Sequence, residues 1–462
     1  MTKATPRRTN PPLHSPAALF LRSLAEPARY RARLEKLAAL EAWRADRLGA
    51  VDEGGERVPL ELGLLLQEAA PLARALAGEV SRGQWQPLPG RAVLTRLDKD
   101  RLVYHFEALD LCVHGVVADA LAALVSRRLS PCVHSYLPGH SNLLALRGLG
   151  RYLRAHQRER PDPRTRGLFV LRRDVRAYGD SARLDAGGPL WAQLRALLGG
   201  DARDPLVGQA MAVIENVLRP PIRGESGGVH QNVRGLPTGS PAHNVMLNLH
   251  LTPLDDVLGA IGGGFYARFG DDFLFAHPEV EVARKASAQI DEVVASLALE
   301  IQPRKRRNLW LNGAGRASPA ADFLSAQETQ FLGAAVTFRG NLRLPPSKSH
   351  QLFAELERRL AQTARLAREG PPLSGDDELR LLCEVVAAGF DRHSVFALPH
   401  LGALLGEIDD RGHLHDLEQR LARLVLRVAR GARSLRALRT IPPSRLREMG
   451  LPSLVLLRGR RR

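Results

Sequence analysis

The sequence predicts an α+β protein in which a sheet-bearing middle is flanked by two helical, basic regions. Three observations predict it. Apolar residues recur at three- and four-residue steps before about residue 82 and again after residue 348, the period of a helix face. Between them lie short apolar runs rich in aromatic and β-branched residues, Leu168–Val175 and Phe265–Ala276, the pattern of buried strands. A length of 462 residues with 44% hydrophobic content is enough for about three domains with packed cores.

Residues 1–16, rich in Pro, Arg, Thr and Ser, read as a disordered leader. From 17 to 82 the pattern is helical, with Leu34, Leu37, Leu40 and Trp43 along one face. The break QWQPLPG ends it, and a hairpin is expected over 92–106 around DKDR. Helices are expected over 109–129 and 142–155, separated by a Pro/Gly loop. The region 17–165 is thus a helical N-terminal part. In 166–343 the strand ending on Asp174 is followed by a helix over 187–217, a glycine-rich loop over 224–239 and a helix over 241–258. FYARFGDDFLFA then reads as a tight hairpin, Ile290, Val293, Val294 and Leu297 as one helix face, and 334–344 as a last hairpin. The region 344–462 is helical and basic, with Leu417, Leu421, Leu424 and Val428 on one face and the tail RGRRR.

Lys and Arg number 66 against 49 Asp and Glu, a net charge of +17, which calls for a polyanionic partner, nucleic acid or an anionic membrane surface. No window offers roughly 18 uncharged apolar residues, and the basic N-terminus has no apolar stretch after it. A membrane is therefore not expected as a partner, and a cytoplasmic location is. Cys112, Cys132 and Cys383 are widely spaced with no CxxC pair, which excludes a disulfide framework or zinc ribbon. His243 and His250, or His413 and His415, lack metal-site spacing. GESGG and GGG have no following Lys-Ser/Thr and are loops, not phosphate-binding loops. Aromatic residues make up only 5%, which disfavours a single-strand binder built on stacking.

The residues that carry chemistry are Asp271 and Asp272 at the hairpin tip. Adjacent carboxylates repel, a cost that a shared cation offsets. Neighbouring strand side chains point to opposite faces, so a second acid from another strand is needed, and Asp174 ends such a strand. Acids so arranged suit two Mg²⁺ ions, with Mn²⁺ as a substitute, for nucleotidyl transfer. The competing reading is a simple Gly-Asp turn.

Five blocks in the family's order, with two further segments before them, resolve the choice. FYARFGDDFLF resembles the Tyr-x-Asp-Asp segment of reverse transcriptases of bacterial retroelements, particularly the group II intron type. RRDVRAYGDS resembles their first catalytic block, and RGLPTGSPAHNVMLNLHL is similar to their Gly-x-Pro-Gln-Gly-Ser-Pro block. RLDKDRLVYHFEALDLCVHGVVADAL and SYLPGHSNLLAL resemble their fingers segments, and IQPRKRR and FLG follow in the family's order. The resemblance runs from Arg91 to Gly333. It implies a right-hand polymerase with helical fingers, a palm built on an antiparallel sheet and a helical thumb. It also implies an RNA-directed DNA polymerase taking dNTPs on an RNA template with a DNA or RNA primer, in a retroelement or a defence system derived from one, with an accessory protein or structured RNA left open.

The resemblance further implies that Asp174 and Asp271 ligate the metals with the Val175 carbonyl, that Asp272 supports them, and that Arg96 and Arg101 hold the triphosphate. Lys305 would sit near the leaving pyrophosphate, and Gly239 would let the backbone approach template and nucleotide. Three positions depart from the family. Gly179 stands where an aromatic residue screens the sugar 2′-hydroxyl, so that role would fall to Tyr178 if it swung in. Thr238 stands where Gln is usual, and Gly270 replaces Ala or Val, a mild change. A maturase-like RNA-binding scaffold and a polymerase with relaxed sugar or template choice are the alternatives.

Overall fold

The computed structural model describes residues 15–48, 67–96, 100–162, 166–201, 203–224, 227–390, 405–430 and 441–459. The expected leader, apart from its last two residues, and the arginines at 460–462 lie outside them. The strands are β1 (Gly90–Arg96), β2 (Asp100–His105), β3 (Leu168–Asp174), β4 (Pro221–Arg223), β5 (Val229–Gln231), β6 (Phe265–Phe269), β7 (Asp272–His277), β8 (Arg307–Leu311), β9 (Leu324–Ala326), β10 (Glu328–Phe331), β11 (Ala334–Thr337) and β12 (Leu342–Arg343). Together with the helices they make an α+β chain that divides into two compact units. The first comprises 1–140, 173–262 and 284–306; the second comprises 141–172, 263–283 and 307–462.

In the first unit the expected hairpin forms, β1 pairing antiparallel with β2 from Arg91↔His105 to Arg96↔Asp100. It continues through β4 and β5 into a four-stranded sheet, so the stretch read as a glycine-rich loop contains β5 and is preceded by β4. Helix Ala108–Val125 is the centre of this unit, with Cys112, Val113, Val116, Val117 and Leu121 fully buried. It is long and apolar enough to cross a membrane, yet two thirds of it (67%) is buried inside the protein and it carries Asp110 and Asp119. Helix Pro27–Leu48 lies against it through Tyr30, Leu34 and Ala38, steps of four, and Arg33 pairs with Asp119. The expected face is therefore rotated: Leu40 is 44% exposed, and the Trp43 side chain lies outside the described residues.

The helix expected over 187–217 is two helices, Pro189–Leu198 and Pro205–Leu218. Proline cannot continue a helix but suits its first turn, and Asp204 caps the second by accepting the Leu206 N–H at 2.9 Å. The helix expected over 241–258 is likewise split, into Ala242–His250 and Thr252–Gly259. The thiols of Cys112 and Cys383 are pushed up by burial to about 12 and about 11, which disfavours the reactive thiolate.

The second unit holds a five-stranded sheet in the order β6-β7-β3-β8-β9. β6 and β7 form the expected hairpin, β3 runs antiparallel to β8 from Leu168↔Leu311 to Arg172↔Arg307, and β8 runs parallel to β9. Strand β3 passes from the second unit, which includes it up to Arg172, into the first with Arg173 and Asp174. Helix Asn142–Glu159 covers the sheet with Leu146, Leu149 and Leu153, all fully buried, each contributing about 1.5–3 kcal/mol. Helices Pro346–Glu369, Gly375–Phe390 and Arg411–Arg430 surround a further core. Leu417, Leu421 and Leu424 are buried in it with Val428 packed against it, the face expected from their spacing.

Two histidines of the first unit are buried without charge. Burial pushes His114 down to about 3 and His250 down to about 4. Their folded values lie below the unfolded value near 6.5, so the stability they carry is complete above pH 6.5. It is lost as pH falls toward their folded values, because the unfolded chain binds protons the folded one refuses. At pH 5 each costs about 2 kcal/mol, and the thermal midpoint should fall by roughly 10 °C between pH 7 and pH 5. His114→Leu should flatten that slope by about half; an unchanged slope would place the titration elsewhere.

Candidate active site

Asp174 is the last residue of β3, and its backbone is held by the segment 300–302. Gln302 N–H donates to the Asp174 carbonyl and Arg176 N–H to the Glu300 carbonyl, each at 2.8 Å, around the bridge Val175↔Ile301. Alternation along an extended chain turns the Val175 carbonyl to the opposite edge from these bonds. Asp174 is 6% exposed. The helical turn Pro303–Lys305 follows, and the Lys305 ammonium pairs with Asp174 Oδ2. Lys305 thus lies on the aspartate itself, a partner the sequence reading did not give it.

Past Ala177, whose φ of 44° and ψ of 46° turn the chain sharply, the segment 179–184 meets 233–236. Leu236 N–H donates to the Gly179 carbonyl and Gly235 N–H to the Ala182 carbonyl, both at 2.8 Å. Tyr178 is 4% exposed, its hydroxyl donates to the Leu247 carbonyl at 2.6 Å, and its ring stacks on His250 at 5.9 Å. A side chain so anchored does not swing, so the expectation that Tyr178 covers for Gly179 is corrected. His243 does lie over Gly179: a Cβ there would stand 2.9 Å from His243 Cε1.

The loop carrying Thr238 and Gly239 turns on a Ser240 N–H to Pro237 carbonyl bond of 3.0 Å, with Gly239 at φ 111°. Positive φ at the third residue of a turn is the type II signature and favours glycine. Tyr104 of β2 donates its N–H to the Thr238 carbonyl at 2.7 Å, and its own carbonyl abuts the Gly239 Cα. The close approach expected for nucleotide and template at Gly239 is made here by the Tyr104 backbone. Asn232 Nδ2 donates to the Tyr104 hydroxyl at 2.6 Å, so the glycine-containing loop and the β1–β2 hairpin are clasped together. Arg96 and Arg101 stand at the turn end of that hairpin, Arg96 opposite Asp100 and Arg101 opposite Thr95; their side chains lie outside the described residues.

In the second unit, β6 and β7 close through a two-residue turn of Gly270 and Asp271, with Phe269 opposite Asp272. Only Gly270 has positive φ, 62°, the II′ arrangement with glycine first. Gly270 is therefore required by the turn and is not a mild replacement. Gly270→Ala should cost the hairpin about 1–2 kcal/mol, measured as a drop in thermal midpoint; no drop would mean the turn is not of this type. Arg268 is fully buried and donates to the Gly270 carbonyl at 3.2 Å. Asp272 faces Arg172 of β3, Oδ1 to Nε 3.7 Å, both about one fifth exposed.

Sequence reading missed Arg172, Arg173, Arg268 and His243. Arg173 is buried, donates to Ser287 Oγ at 3.0 Å, and is pushed down to about 10 by burial and then by Arg306. The signal was present: two arginines inside the apolar run LFVLRRD require partners if that run is a buried strand. Carboxylate and carbonyl oxygens are the donors that Mg²⁺ or Mn²⁺ prefer. Among the described residues, however, no group of three or more His, Cys, Asp and Glu gathers as a metal centre.

No family model and no curated protein matches the sequence. Among solved structures, the telomerase from Candida albicans in complex with a fragment of telomeric RNA is similar at 12% identity and a TM-score of 0.43, over 85% of this chain and 68% of that one. The apo telomerase from Candida tropicalis truncated from its C-terminal domain is similar at 10% identity and a TM-score of 0.41, over 56% and 55%. The RNA-dependent RNA polymerase of a human picobirnavirus is similar at 12% and 0.42, over 81% and 65%. The chain spans between about half and two thirds of the length of these proteins.

Proposed function

We propose that this chain is a template-dependent nucleic-acid polymerase, and within that class an RNA-directed DNA polymerase of the retroelement kind. The observation that supports it is strand order: β3, which ends on Asp174, is the sheet neighbour of β7, which begins on Asp272 of the GDD turn. Asp174, Asp271 and the Val175 carbonyl would hold Mg²⁺ with Asp272 in support. The ions, when bound, would activate the primer 3′-hydroxyl and stabilise the leaving pyrophosphate. The Lys305 ammonium, paired with Asp174 Oδ2, fixes the orientation of that carboxylate. The arginine-rich remainder of the +17 chain would grip template and primer by their phosphates, so binding should weaken steeply with salt.

The purified chain should add dNTPs to a primed RNA template in Mg²⁺, and RNA binding with no addition under any primer would favour the maturase-like scaffold instead. The Lys305–Asp174 pair is the feature that favours that second reading. Sugar choice, in this proposal, falls to His243. His243→Ala should lower the preference for dNTPs over rNTPs by about tenfold, a loss of roughly 1.4 kcal/mol of discrimination. Gly179→Phe should clash with His243 and lose activity for both sugars; an unchanged ratio in His243→Ala would remove His243 from this role.

A further inference from the structure

Beside helix Ala69–Ser81 this basic chain presents a locally acidic surface. A cavity of about 610 Å³ in the first unit runs beside it, with Leu72 and Leu76 on its wall and Glu68 and Glu79 at its ends. The spacing 68, 72, 76, 79 puts all four on one helix face. Trp85 and Leu88 form the floor, and Glu107 and Asp110, where helix Ala108–Val125 begins, the opposite side; among the described residues no Lys or Arg lines it. The floor is built to stay in place. Asp110 accepts the Leu88 N–H at 3.0 Å, leaving the Leu88 side chain 59% exposed. Trp85 packs edge-on against the fully buried ring of His114, one turn beyond Asp110.

We propose that this groove docks a basic amphipathic helix of a partner protein. An open, rigid apolar floor excludes water from a partner's side chains. Carboxylates on both sides, Glu68 and Glu79 against Glu107, repel nucleic-acid phosphates and attract Lys and Arg. Eleven residues of helix separate Glu68 from Glu79, about 16 Å. The matching helix therefore carries an apolar strip about three turns long between basic residues spaced similarly. The docking needs no polymerase activity and stands or falls apart from it.

The test is fluorescence anisotropy of a labelled 15-residue amphipathic Leu/Lys peptide against the full-length chain, with a Leu/Glu peptide as control. Saturable binding of the Leu/Lys peptide is expected. It should weaken at least about tenfold, roughly 1.4 kcal/mol, in Glu79→Lys/Glu107→Lys and separately in Leu88→Ser, while affinity for an RNA oligonucleotide is kept. Leu88 is exposed, so its variant carries the test if the double variant fails to fold. Equal binding to the variants, or binding of the Leu/Glu peptide, would overturn the proposal. Self-association of the chain that the same variants abolish would assign the groove to a second copy and overturn it as well.

Discussion

Asp271→Asn is expected to lower Mg²⁺-dependent addition of dNTPs on a primed RNA template by about a thousandfold or more, with the thermal midpoint nearly unchanged. Asp271 is the second residue of a two-residue turn, and an isosteric amide there keeps the backbone conformation of the turn. What changes is one negative charge and one hard oxygen donor. Loss of a group that stabilises developing charge costs about 10²–10³ in rate, and loss of a metal ligand at least as much. Asp272→Asn should behave differently. It leaves the half-buried Arg172 guanidinium facing an amide at the place of its carboxylate partner, so part of its effect should appear as instability. Asp174→Asn should match Asp271→Asn in activity. Full activity in either of those two variants would sink the polymerase proposal, whereas unchanged RNA binding in both would be consistent with it.

Gly239→Ala is the second large effect, expected as a loss of about 3 kcal/mol of stability or more, with activity falling in parallel. At φ 111° alanine is outside the small left-handed region open to it. Its Cβ would also collide with the Tyr104 carbonyl, a backbone atom that cannot rotate away. Relief would require breaking the Tyr104–Thr238 hydrogen bond and parting the clasp between the loop and the β1–β2 hairpin. Gly208→Ala, on the exposed side of helix Pro205–Leu218 with open space around it, is the control and should stabilise by roughly 0.5–1 kcal/mol. A Gly239→Ala protein that melts like the wild type would show that the turn is not under this constraint.

Much of this was legible in the residues. The GDD hairpin, the strand that ends on Asp174 and the long C-terminal helices each rest on signals a few residues apart: a glycine at the first turn position, an acid closing an apolar run, leucines at helical steps. The helix expected over 187–217 fails for an equally local reason, since Pro205 and its capping Asp204 start a new helix that the apolar period alone runs through. Leu40 fails for a different one. A leucine at a helical step is buried only if something packs there, and the partner helix takes the Tyr30, Leu34, Ala38 side instead.

By itself the sequence determined the α+β class, the tight hairpin around Gly270 and Asp271, and the positions of three acids, because backbone preference and side-chain periodicity act over a few residues. The tertiary structure alone decided that β3 lies between β7 and β8, that Lys305 meets Asp174 from 131 positions away, that Tyr104 occupies the space beside Gly239, and that His243 covers Gly179. Those pairings join segments whose separation carries no periodic signal. They follow from which buried surfaces and hydrogen-bonding edges fit one another once the chain has folded.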